Sequence, residues 1–131
     1  MKKLLLILFV ALICTTCFGQ AARIGFTYNE VKTEYSGFKQ TLDYVDGEKV
    51  LTVQGEDVTC IYYFDKDNGM CYLSLVVPHR EGGVHYLIEK YNSKYVIVDN
   101  YNWKWYNSNY VIGITLDSTD DGIMFFSFYV L

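Results

Sequence analysis

From Lys39 onward, apolar and polar residues alternate with a period of two, interrupted by short glycine-bearing turns. That pattern predicts β-strands. Lys39 to Val45 and Glu48 to Gln54 flank Asp46-Gly47, a dipeptide favoured in two-residue hairpins because both positions tolerate positive φ. Gly55-Glu56-Asp57 leads into a third strand, Val58 to Asp65, and Asp67-Asn68-Gly69 into a fourth, Met70 to Val77. Four more are expected later: Lys94 to Asp99, Tyr101 to Tyr106, Asn109 to Leu116 and Gly122 to Val130.

Two segments break this rhythm with helical spacing. Thr27 and Glu30 have the separation of a capping box, with Phe26 and Val31 at the staple positions and Gly37 placed to end the helix. Glu81-Gly82-Gly83 reads as a turn. Val84, Leu87, Ile88 and Tyr91 then line one face of a second short helix, with His85 and Glu89 on another. The expected fold is α+β, a curved antiparallel sheet of about eight strands with two short helices on one face. Helix followed by four strands occurs twice, which divides the chain into pseudo-repeat halves at about 25–78 and 79–131. Gly69 to Leu75 aligns with Gly122 to Phe128, although two hairpins of any one sheet share such features. Alternation places Cys71, Leu73, Leu75 and Val77, with Met124, Phe126, Phe128 and Val130, toward the helices. Tyr72, Ser74, Phe125, Ser127 and Tyr129 fall on the opposite face. So aromatic an outer face is a candidate binding surface, with Tyr72 and Phe125 its test residues.

The N-terminus changes the address. Lys2 and Lys3 precede the apolar run Leu4 to Ile13 and a small, polar exit, the order of a secretory signal peptide covering residues 1–19. The run is too short for a permanent span, and no later segment resembles one. Cleavage before Gln20 fits the small Cys17 and Gly19, with lipid anchoring at Cys17 as the alternative. What remains, 20–131, is one domain that acts in the periplasm or outside the cell. The leader takes two lysines with it, leaving nine basic against fifteen acidic side chains, a balance of −6. The basic residues are scattered, so no face suits a phosphate backbone and nucleic acid is not an expected partner.

Few residues offer chemistry. In a hairpin turning at residues 67–69, Cys60 lies opposite Leu73 or Leu75 rather than Cys71, so both cysteines are expected as free, buried thiols. Two cysteines are too few for a metal site, and no cofactor motif is present. Asp65 to Gly69 and Asp117 to Gly122 glance at calcium loops, but Val76 and Phe128 stand where the bidentate glutamate belongs. His79 follows a strand end, and an enzyme built on it would need a nucleophile or carboxylate held against the ring. The densest feature is Tyr101 to Tyr110. Tyr101, Trp103 and Trp105 share a strand face. Turned outward, they form an aromatic ladder able to stack on sugar rings or anchor a protein; turned inward, they are core, the commoner use of large rings.

Gly25-Phe26-Thr27-Tyr28-Asn29-Glu30-Val31 is similar to the opening of the envelope family that includes the small lipoprotein of the outer-membrane barrel-assembly machine. The doubled helix-plus-four-strands order resembles β-lactamase-inhibitory protein. The units here are shorter, carry one helix each, and the second lacks the opening motif. The resemblance implies a non-catalytic extracytoplasmic protein that binds an envelope or extracellular protein through a sheet face. Glycan binding by Tyr101, Trp103 and Trp105 is the alternative, and a hydrolase using His79 the third reading.

Overall fold

The computed structural model describes residues 22–131, so the leader, the cleavage point before Gln20 and the lipidation candidate Cys17 lie outside the described residues. Among these residues two helices, α1 (Tyr28–Glu34) and α2 (Glu81–Lys94), each precede four strands. The strands are β1 (Lys39–Val45), β2 (Glu48–Gln54), β3 (Val58–Phe64), β4 (Cys71–Pro78), β5 (Val96–Asp99), β6 (Asn102–Tyr106), β7 (Val111–Ser118) and β8 (Met124–Val130). All eight form one open antiparallel sheet in the order β1-β2-β3-β4-β8-β7-β6-β5. The order is palindromic about the β4–β8 pair. Each half is a meander, and the halves meet through their last strands. No helix among the described residues is long and apolar enough to cross a membrane.

Local chemistry accounts for the elements. Asp46 at φ 52° and Gly47 at φ 82° make the tight turn between Val45 and Glu48. The Thr27 hydroxyl accepts from the Glu30 backbone N–H at 3.3 Å, and Glu30 Oε1 accepts from the Thr27 N–H at 3.1 Å, the reciprocal capping box. Helix α1 ends at Glu34 with Tyr35 as its cap, so Gly37 lies outside it. Helix α2 extends further than the apolar spacing predicts. Glu81, Gly82 and Gly83 form its first turn rather than a flexible link, with the Gly83 N–H bonded to the Arg80 carbonyl at 3.0 Å.

Both helices cover the same side of the sheet. Val31 and Tyr35 of the α1 end lie over β2 and β3, where Tyr35 stacks on Tyr62 at 5.9 Å and the two hydroxyls share a hydrogen bond of 3.1 Å. Tyr91 of α2 meets Phe126, Phe128 and Trp103 edge-on at 5.0, 5.7 and 5.9 Å. Arg23 is buried beside α1, with its guanidinium on the Glu34 carboxylate by two bonds of 2.7 and 2.8 Å. Burial works against that charge, but the Glu34 hydrogen bond and the neighbouring groups outweigh it and hold the guanidinium protonated.

One strand departs from simple alternation. Tyr63 pairs with Leu73 but Phe64 pairs with Cys71, so Tyr72 is an extra residue in a β-bulge. An extra residue inverts the facing of everything after it. Cys71 still points inward, but Ser74, Val76 and Pro78 follow it into the buried side. Leu73, Leu75 and Val77, expected under the helices, stand on the uncovered face instead. The Ser74 Oγ consequently lies buried with no hydrogen-bond partner among the described residues, as do the Tyr91 and Tyr95 hydroxyls.

Candidate functional site: the uncovered sheet face

The pairing registers define what the helix-free side presents. One row runs Val50, Tyr63, Leu73, Tyr129, Gly113 and Lys104 across six strands. The next runs Thr52, Ile61, Leu75, Ser127, Thr115 and Asn102. The middle, over β3, β4 and β8, is apolar and aromatic, and its residues are half-buried by their neighbours, with no covering layer among the described residues.

Toward β5 the face becomes polar through a directed chain. The Asn102 amide nitrogen donates to both Asp99 oxygens at 2.9 and 3.1 Å. Its Oδ1 accepts from the Thr115 hydroxyl at 2.8 Å. Thr115 has one hydrogen and has spent it, so Tyr129 is the donor in the 2.6 Å contact between their oxygens. The backbone N–H of Tyr101 and the Asn102 side chain hold the Asp99 carboxyl below its ordinary range.

Tyr129 reaches Thr115 because Gly113 leaves it room. A Cβ on Gly113 would stand 2.7 Å from Tyr129 Cε2 and 2.9 Å from Cζ, far inside contact distance. Gly113→Ala is therefore expected to displace the ring and cost about 1–3 kcal/mol by overpacking. Urea unfolding checks it, and in a Tyr129→Ala background the same change should cost less, since only the Leu131 side chain, 3.1 Å from that Cβ, still has to give way.

The residues singled out by sequence are dispersed. Trp103 is 1 % exposed beneath α2, with its indole N–H donating to Asn92 Oδ1 at 2.8 Å. Trp105 packs against the same core and meets Tyr95 at 5.8 Å. Tyr101 precedes β6, lies outside the strand and is exposed. No outward ladder forms, because Trp103 pairs with the buried Ile114 and must share its side of the sheet.

Tyr72 is exposed at the bulge and donates to Glu48 Oε1 at 2.7 Å, which pushes its hydroxyl pKa up to about 12, with burial adding to the effect. Phe125 stands opposite Asp117 at the other end of the β4–β8 pair. Tyr72 and Phe125 thus do not form one patch. They bracket the strip Leu73, Leu75 and Val77 from ends about 15 Å apart at the usual rise per residue. Sequence alternation missed that strip, since nothing in Leu73 to Val77 marks the bulge.

His79 is exposed but engaged. Its Nδ1 lies 3.0 Å from the Glu56 carbonyl, which can only accept, so Nδ1 carries the proton. In the neutral ring the Nε2 atom accepts from the Thr59 hydroxyl, 2.7 Å away. The arrangement pins the turn before β3 to the end of β4. Cys60 and Cys71 are free and buried, and Cys60 pairs across strands with Val76, one step beyond the expected Leu75, because of the bulge. Burial pushes the Cys60 thiol up to about 11 and the Cys71 thiol to about 12, so neither is a ready nucleophile. Among the described residues no cluster of metal-ligating side chains occurs. In comparisons with known proteins, no family model, no curated protein and no solved structure matches the chain.

Proposed function

We propose that this chain is a small, exported, non-catalytic interaction protein that docks an envelope or extracellular protein on its uncovered sheet face. The observation that carries the reading is the one-sided cover. Both helices pack on the side of Tyr62 and Trp103, leaving the apolar centre around Ile61, Tyr63, Leu73 and Leu75 without a second layer among the described residues. A sheet face with such a centre and a polar margin has the layout of a protein interface, in which a desolvated core carries the energy and the rim excludes water. Glycan stacking on Tyr101, Trp103 and Trp105 loses its support, because the two indoles lie on the helix side.

Leu75 sits in the middle of the face, between Ile61 and Ser127, and makes no part of the buried core. Leu75→Lys is expected to weaken retention of partner protein from an extracellular or envelope fraction more than about tenfold, the size of a central interface contact. Tyr86→Ala, on the exposed side of α2, is the control that leaves it unchanged. Equal retention by Leu75→Lys and the parent, with circular dichroism unaltered, would overturn the assignment.

A further inference from the structure

Four charged side chains stand at the corners of the uncovered face. Asp43, paired with Val50, and Lys104, paired with Gly113, close the two ends of the row through Tyr63, Leu73 and Tyr129. Four residues away along the strands, Lys39 and Asp117 close the ends of a second row, through Gln54, Thr59, Val77 and Phe125. The corners alternate in sign, acid next to base both along the strands and across them. Their separations are about 13 Å and about 24–29 Å at the usual rise and strand spacing. Among the described residues no ion pair takes up any of the four, and Asp117 accepts from the adjacent Ser118 N–H. Glu48 and Asp99, near the same face, are already bound by Tyr72 and by Tyr101 and Asn102, so they stand apart from this set.

We propose that the occupant of the face is a second copy of this chain, packed sheet on sheet about a two-fold axis, a step that rests on the face being a docking surface. Four corners of alternating sign match their own copy. With the axis along the strands, Asp43 meets Lys104 of the second copy and Lys39 approaches its Asp117. With the axis across the strands, Asp43 meets Lys39 of the second copy and Lys104 approaches its Asp117. An axis along either diagonal would instead set a corner on its own copy, like charge on like, so the signs select the aligned kind of sheet packing. A foreign protein would have to supply all four matching signs independently. Strand β4 lies midway between the charged ends, so the strip Leu73, Leu75 and Val77 of each copy covers that of the other. The apolar strip supplies the affinity, and the corners fix partner and orientation. Contact of one face with itself uses up both faces and stops at two copies.

Analytical ultracentrifugation of the exported protein over a wide concentration series tests this. The weight-average mass is expected to climb from one copy to two and level there, and Tyr86→Ala should follow the parent. Leu75→Lys should hold the mass at one copy. Asp43→Lys, at an exposed position, should weaken association more than about tenfold, because the change enters the contact twice. Adding Lys104→Asp to Asp43→Lys restores association for an axis along the strands, and adding Lys39→Asp restores it for an axis across them. Circular dichroism confirms that each variant is folded. A mass climbing past two copies, Asp43→Lys associating like the parent, or restoration by neither second change overturns the proposal. A one-copy mass throughout, with Leu75→Lys still losing captured partner protein, removes the second copy and keeps the docking face. Leu75→Lys that associates and captures like the parent removes both.

Discussion

Trp103→Ala is expected to lower the unfolding free energy by about 3–5 kcal/mol, the range for truncating a buried aromatic ring. A domain of this size is held by about 5–15 kcal/mol, so the variant should sit close to the edge of folding. The indole is sealed under α2 against Tyr91 at 5.9 Å and Phe126 at 6.0 Å, and its N–H is bound to Asn92. Removal leaves a void that a short helix over a stiff sheet cannot collapse into, and deletes the polar link between α2 and β6. Tyr101→Ala, two residues away, changes a ring that is 59 % exposed, and should stay within about 0.5 kcal/mol of the parent. Urea unfolding followed by circular dichroism separates the two. Near-equal midpoints for Trp103→Ala and Tyr101→Ala would place Trp103 on the surface and contradict the packing described above.

The second large effect is a contrast between two deletions in β4. Tyr72 is the residue without a partner, since Phe64 faces Cys71 and Tyr63 faces Leu73. Taking Tyr72 out joins Cys71 directly to Leu73 and leaves every other pairing, and every inward and outward side chain, where it was. Removing Leu75 instead turns Val76 and Pro78 out of the core and disrupts the match to Ser127 and Phe126 on β8. The Tyr72 deletion is expected to fold, losing chiefly the hydrogen bond to Glu48. Deletion of Leu75 should abolish cooperative unfolding. Thermal melts of both report the outcome, and a Tyr72 deletion as damaging as that of Leu75 would mean the bulge is not where the pairing puts it.

Turn chemistry and capping were the most legible parts of the chain. Asp46-Gly47 and the Thr27–Glu30 pair act locally, so their residues suffice to announce the hairpin and the helix. Alternation identified β8 and its buried Phe126 and Phe128, because Ser127 and Tyr129 interrupt the apolar run and fix which residues face the helices. It failed on β4, where Leu73 to Val77 has apolar residues on both faces and the bulge that fixes their facing arises from pairing with β3. The second helix began earlier than expected because glycines at its start discourage a helical reading, although the following Val84, Leu87 and Tyr91 bury enough apolar surface to hold it. The candidate site inherits these limits. The spacing of Tyr101, Trp103 and Trp105 puts three rings on one strand face and leaves ladder and core both open, because spacing cannot tell which side a helix will cover. The apolar strip on the uncovered face is a product of the bulge, and so of tertiary pairing.

Six of the seven strand pairings join neighbours along the chain, and only β4–β8 spans the length of the second half. Meanders close over short loops and form early, so this one seam is completed last. As the polypeptide emerges amino end first, β4 waits as a raw border, apolar on both surfaces, until its distant mate is made. The period of greatest exposure to misassociation is therefore written into the strand order, and it ends with the arrival of the final strand.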